Sequence, residues 1–390
     1  EQIRFDLRYK AMTVHESSVP HYLLYGSRAS YYTMKVFAYL RYQGLHFDLV
    51  KVTDQIAEDV IKPFTGGWRV VPVIYGPDSG YVQDSSLILD RLESLHPQRS
   101  ILPTGLKQRV VAALFELLGD DWLVFPAMHY RWNFKRHNLP YILKTFGQNR
   151  TPHWPSALHW LGGIRTAQRF APVAREMLGV NRTNIKALER WTQAFLDQLN
   201  EHFAEHDYLL GGRACHGDFA LFGPLRAHLA SDPYPRTQLL KQKFHLFDWL
   251  HRMEQTPRDT GKWLPNDEIP DSLIPILQWQ FRDQIPYVHN VMSMTSQWFE
   301  EHPDTSDSPR FVGKALYKID GAYGQRMCAP YTQWMYQRVT EPIEQVAESE
   351  KAALTQWLAQ HQLQHDLSPP DNHVYFYDSR VWRHEQGPFE

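Results

Sequence analysis

Cysteine is nearly absent. Cys215 and Cys328 are the only two in 390 residues, far apart and in no ligand-like spacing. That excludes a disulfide framework and a thiolate metal cluster, and it makes a reducing cytoplasm the expected compartment. Long apolar runs are also missing: none nears the ~20 residues that a membrane-spanning helix needs. Neither sign of charge dominates, with 41 Lys and Arg against 43 Asp and Glu and a net charge of −2. Taken over the whole chain, that balance argues against nucleic-acid and membrane partners. The opening "EQIRFDLRYK" carries charges but no apolar h-region, so no signal peptide is expected. There is no internal repeat and no low-complexity tract. What the chain has in quantity is aromatic: 13 Trp, 20 Tyr and 20 Phe, beside 20 His. So much ring surface must be buried or must line pockets. The length allows two or three domains with ample cores.

Residues 1–19 lack a clear period and read as an arm. From His21 the pattern sharpens. "YLLYG" is a short strand closed by glycine, and Val36, Phe37 and Leu40 then share one helical face that ends at Gly44. "HFDLVKV" alternates as a strand, and "DQIAEDVIKPF" is a short helix stopped by Pro63. "VVPVIY" and "GYVQ" read as two strands joined by a turn, and a helix runs from about Ser85 to Leu95. Strand, helix, strand, helix, strand, strand, helix describes a small α/β layer over residues 20–102. Residues 103–262 are mainly helical. Residues 263–390 form a third region with helical stretches, a hairpin turn at Asp320-Gly321, a further helix and a proline-broken tail.

Four motifs stand in a telling order. "SYYTMK" places Ser30 five residues before Lys35 at the start of the first helix, with Thr33 between them. "RVVPVI" holds Val71 and Pro72. "VQDSSLILDRLE" opens a helix with Asp84 and Ser85. "YLLGGRACHGDFALFGPL" sets Asp218 three residues after Cys215. Together they resemble the glutathione transferase superfamily over residues 20–260, in its serine-type cytosolic form with a C-terminal extension.

The resemblance implies an α/β thioredoxin-like first domain, an all-helical second domain and glutathione as cosubstrate. Ser30 would hold and activate the glutathione thiolate. Pro72 would be cis, with the Val71 backbone pairing to the tripeptide like an added strand. Asp84 and Ser85 would grip the γ-glutamyl end, with Gln83 and Arg69 as further glutathione contacts. An apolar electrophile would sit against Tyr31, Tyr32, Trp122, Met128, His129, Tyr130 and Trp132. The resemblance implies a homodimer, whose interface the third region could cover or replace. Three departures stand out: Tyr31 where a proline is common, Cys215 where a hydroxyl residue is usual, and "TGGWRVVP" in place of a Lys-Val-Pro arrangement.

The chemistry is coherent. A helix N-terminus offers unpaired N–H groups that suit a carboxylate. A hydroxyl donor at another helix start favours a thiolate, whose free pKa is ~8.5. Ser30 is equally a common helix cap, and Tyr25, Ser27 and Tyr32 are rival hydroxyls. His202 and His206, like His361 and His365, have metal-compatible i, i+4 spacing but no third ligand nearby, so no metal is expected. The alternative to an enzyme is a non-catalytic binding or scaffold protein of the same fold. A glutaredoxin-like oxidoreductase is disfavoured because Ser30 and Thr33 leave no protein thiol at the active position.

Overall fold

The structure, a computed structural model, describes residues 20–258, 260–363 and 367–384. The arm at 1–19 lies outside the described residues, as does His365. Strand β1 (His21–Gly26) leads into helix α1 (Tyr31–Gln43), then β2 (His46–Lys51). A helical segment over residues 54–64 precedes β3 (Val73–Gly76) and β4 (Gly80–Gln83), and helix α2 (Ser85–Leu95) closes the layer. The sheet order is β2-β1-β3-β4, with β1 parallel to β2 and antiparallel to β3. This is the thioredoxin-like arrangement.

Alternation along β1 explains its two faces. Tyr22 and Leu24 join the main core with α1 and α2, whereas Tyr25 packs beneath the sheet with Val60, Ile61 and Val73. Helix α1 ends at Gly44, whose φ of 73° is the left-handed cap that "RYQG" calls for.

The second domain is helical. Helix α3 (Leu106–Leu117) runs through a wide five-residue turn at 118–122 into α4 (Val124–Asn133). Helices α5 (Lys135–Arg150) and α6 (His159–Phe170) form an antiparallel hairpin, followed by the long α7 (Ile185–Glu205), α8 (His216–Pro224) and α9 (Phe244–Met253). At the start of α8, Asp218 Oδ2 accepts from Cys215 N–H at 2.9 Å, while Oδ1 accepts from Leu209 N–H and Trp249 Nε1–H. The Asp218 carboxylate and the Cys215 side chain form a reciprocal capping box, and the thiol also donates to Oδ2 at 3.3 Å.

The extension contributes α10 (Ile285–Glu301), the β5–β6 hairpin (Lys314–Ile319, Ala322–Met327), α11 (Tyr331–Glu344) and α12 (Glu348–Gln360). Asp320 and Gly321 both have positive φ, as a two-residue turn of this kind requires. Where a proline-broken tail is expected, a second hairpin forms from β7 (Tyr375–Tyr377) and β8 (Arg380–Trp382). The extension shares one apolar core with the domains before it: Leu277, Phe281, Tyr287, Met335 and Tyr336 pack continuously with Leu114, Leu118 and Trp122. Beside the wide turn, the Leu114 and Leu117 carbonyls accept from Gln280 and Gln284 at 2.7 and 3.1 Å. Buried carbonyls need such partners, and here the extension supplies them.

Candidate functional site

Tyr25, Val73 and Gln83 lie in one row across β1, β3 and β4. The segments just beyond that row therefore meet at one end of the sheet. They are the turn 27–30, the Val71–Pro72 peptide, which is cis, and the Asp84-Ser85 pair. Gln83 ends β4 within this group and is half-buried.

Ser30 is the N-cap of α1, and its hydroxyl accepts from Thr33 N–H at 3.3 Å. An accepting hydroxyl still has its own proton to give. Thr33 is fully buried behind it, under Gly26, where a Cβ would lie 2.4 Å from Thr33 Oγ1. Glycine there is a matter of space.

Asp84 caps α2 in the same manner. Its Oδ1 accepts from Ser86 and Leu87 N–H at 2.9 and 3.3 Å, with a backbone φ of 78°. Its second oxygen, Oδ2, accepts from the Tyr331 hydroxyl at 2.8 Å. Tyr331 opens α11 in the extension, wedged between Trp334 and Phe376. Burial raises the Asp84 pKa and the Tyr331 bond pulls it back. Ser85 is 1% exposed, and its hydroxyl has no hydrogen-bond partner among the described residues.

Behind these groups lies a sealed ionic cluster. Lys35 Nζ donates to Ser86 Oγ, Glu116 Oε1 and Asp120 Oδ2 at 2.8, 2.8 and 2.6 Å, and its side chain has no exposure. Arg338 of the extension adds a second cation, bound to Glu116 at 3.0 Å and to both oxygens of Asp90. Burial works against the Lys35 charge, yet the Asp120 and Glu116 carboxylates hold its pKa above the ordinary value. Burial pushes Asp120 up to about 6, with Lys35 opposing it. For Glu116 burial is outweighed by Arg338 and Lys35, which hold it well below its usual range. The cluster ties α1, α2, α3 and the extension together, so the two helix starts that carry Ser30 and Asp84 are fixed relative to each other.

The other expected site residues divide. Tyr31 and Tyr32 lie at the start of α1, their hydroxyls 2.7 Å apart and both within reach of the Asp120 carbonyl. Burial raises both phenol pKa values, so these hydroxyls stay protonated. Tyr32 keeps some exposure and Tyr31 does not. Tyr25 sits under the sheet, in the small cluster with Val60 and Ile61. Arg69 is spent on Asp54 at 2.6 Å, a carboxylate it shares with Arg150. Trp122 is enclosed by Phe125, Tyr287 and Tyr317. His129 bonds Glu189 and Asn133, Tyr130 stacks on Phe134, and Trp132 packs against Phe146. Trp122, His129, Tyr130 and Trp132 are all 3% exposed or less, whereas Met128 is half-buried. His202 bonds Ser272 and the Tyr208 carbonyl. No group of three or more His, Cys, Asp or Glu side chains able to hold a metal ion occurs among the described residues.

Glu116, Asp120, Arg338 and Tyr331 went unnoticed in the sequence. Glu116 and Asp120 did leave a signal: two acids at i, i+4 inside the apolar stripe "RVVAALFELLGDDWLVF" demand a buried cation. Tyr331 left none.

Residues 24–100 match the family model of the glutathione S-transferase N-terminal domain. No curated protein matches the chain. Among solved structures, it is similar to a glutathione S-transferase from Methylobacterium radiotolerans in complex with glutathione sulfonate. The two are 19% identical over 63% of this chain and 99% of that one, with a TM-score of 0.37. It is also similar to a beta-etherase from Sphingobium sp. strain SYK-6, at 19% identity over 60% of this chain and 96% of that one, with a TM-score of 0.39. A glutathione transferase from Phanerochaete chrysosporium gives 18% identity over 60% and 97%, with a TM-score of 0.39. At such TM-scores the similarity adds nothing to the match of the first domain.

Proposed function

The first domain matches the glutathione S-transferase N-terminal family, and from that premise we propose that the protein binds glutathione and activates its thiol. The carrying observation is Ser85. A buried hydroxyl without a partner costs about 1–3 kcal/mol, and it sits at a helix N-terminus where a carboxylate is favoured. The γ-glutamyl carboxylate answers both needs. Asp84 takes the neighbouring ammonium on the oxygen that it already offers to Tyr331. The Val71 backbone pairs with the cysteinyl residue; the thiol gives up its proton to water, and the Ser30 hydroxyl donates a hydrogen bond to the sulfur anion that results. With the α1 N-terminus beside it, the thiol is held as thiolate. The sulfur then forms a bond to an electrophilic carbon, and the leaving group departs with the electron pair of the bond that breaks. Tyr32 and Met128, which keep some exposure, stand nearest to the role of apolar contacts. The two cysteines are buried and free, which suits work in a reducing cytoplasm.

A binding protein without turnover is the second reading. It draws on the Tyr331 contact, which places a residue of the extension on the carboxylate meant for the ligand. Titration with glutathione, followed by thiolate absorbance, separates the two. The expected result is a thiolate signal with wild type, lost in Ser30→Ala and kept in Tyr25→Phe. Binding without a shifted thiol pKa favours the second reading, and no binding at all refutes both.

A further inference from the structure

From Trp122 to Arg175 the chain contains eight Lys and Arg and no Asp or Glu. Against a whole-chain net of −2, that leaves −10 on everything else. The near-neutral sum conceals a strongly cationic segment. Two of the eight are spent on carboxylates, Arg131 on buried Asp232 and Arg150 on the exposed Asp54. Lys135, Arg136, Lys144, Arg165 and Arg169 are exposed and in no ion pair among the described residues.

The same segment concentrates exposed apolar side chains. Of the eleven large hydrophobic residues that stand exposed among the described residues, six fall within residues 141–170: Tyr141, Trp154, Leu158, Trp160, Leu161 and Phe170. Most lie around the tip of the α5–α6 hairpin. Along the hairpin, Leu139, Pro140, Leu143, Lys144, Ala157 and Trp160 line an open groove. The hairpin is a preformed surface. His159, Gly163 and Ala167 bury one face of α6 on α5. At Gly147 a Cβ would lie 1.5 Å from the His159 carbonyl, and at Gly163 2.0 Å from that of Leu143. The two backbones meet because nothing larger than glycine is present.

We propose that the α5–α6 hairpin docks on the surface of an anionic lipid bilayer, with Trp160, Leu161 and their neighbours in the headgroup–acyl boundary and the free lysines and arginines on the phosphates. Charge complementarity selects an anionic partner, and the apolar tip selects among anionic partners. Indole rings beside bare leucines suit an interface that is wet on one side and oily on the other. A nucleic acid would use the cations but has no place for Leu158 and Leu161. Surface docking needs no spanning segment, and no described helix is long and apolar enough to cross a membrane. The tip end of α5 lies beside the candidate site, where Asn149 donates to Ser27 Oγ at 3.0 Å. A docked protein would thus hold that site near the bilayer.

Flotation with vesicles tests this on the intact chain. Vesicles of phosphatidylcholine with about 30% phosphatidylglycerol should bind wild type about tenfold or more tightly than phosphatidylcholine alone, and added salt should weaken the binding. The exposed double variants Trp160→Ser/Leu161→Ser and Lys144→Ser/Arg165→Ser should each lose about tenfold, with melting temperatures unchanged. Equal affinity for both kinds of vesicle overturns the proposal, as does full binding by the Trp160/Leu161 variant. An oligonucleotide that binds wild type and both apolar substitutions alike, while vesicles are ignored, assigns the surface to nucleic acid and overturns it too.

Discussion

The first domain and the extension both supply groups to the candidate site, but from different kinds of position. The domain uses chain ends of regular elements: the turn after β1, the cis peptide before β3 and the cap of α2. The extension uses side chains on long-range packing surfaces: Tyr331 on Asp84, Arg338 on Glu116 and Asp90, and Arg326 on Asp121 at 3.1 Å. The first set is local and leaves motifs. The second depends on which helix happens to lie where, so single residues carry it. A site can therefore be recognised from half of its parts while the other half stays silent.

The sharpest way to break this comparison is at Lys35, where the two sets meet. Lys35→Met leaves Asp120 without its cation and Glu116 with Arg338 alone. Removing one partner of a buried ion pair costs about 3–5 kcal/mol, and urea unfolding should show a loss of that order. A loss under about 1 kcal/mol would mean that the cluster does not bind the two sets together.

Tyr331→Phe is gentler and more pointed. The ring still fits between Trp334 and Phe376, and only the hydrogen bond to Asp84 is lost. Bonds to charged acceptors contribute about 1.5–3 kcal/mol, whereas loss of the Ser30 cap in Ser30→Ala costs about 1 kcal/mol. Chemical denaturation of the two variants side by side should rank the extension's residue above the domain's own cap.

The smallest expected effect lies at His202, which joins α7 to the start of the extension through Ser272 Oγ at 2.8 Å. Burial, with His206 adding to it, depresses its pKa from 6.5 to about 3. Below pH 6.5 the unfolded chain takes up a proton that the folded chain refuses, so stability falls as the pH drops from 6.5 towards 3. His202→Asn should remove about 1 kcal/mol of the wild-type loss between neutral pH and about 5.5, measured by paired melts across that range. Identical slopes would place the titration elsewhere.

Much of the fold was legible because it is locally encoded. A short apolar run closed by glycine marked β1, alternation marked β2, Gly44 closed α1, the 3.6-residue period marked α2, and Asp320-Gly321 announced its hairpin. The β7–β8 hairpin was not legible, because its turn uses Asp378 and Ser379 at φ of 51° and 62°. Without a glycine, a left-handed turn gives no sign of itself. The aromatic group at 122–132 read as a pocket wall because its partners were unknown. Tyr287 and Tyr317, which enclose Trp122, stand more than 160 residues away in the sequence.

By itself the sequence determined which segments become strands and helices, where they are capped, and which small polar residues stand at the starts of α1 and α2. These depend on neighbours a few residues apart, and dihedral preference and periodicity suffice. Only the tertiary structure decided what faces those residues: that a lysine five positions after Ser30 is buried between two carboxylates, that Asp84 shares its free oxygen with Tyr331, 247 residues on, and that five cations of one hairpin are in no ion pair among the described residues. Charge and hydrogen-bond partners are set by distance in space, which no sum or period along the chain contains.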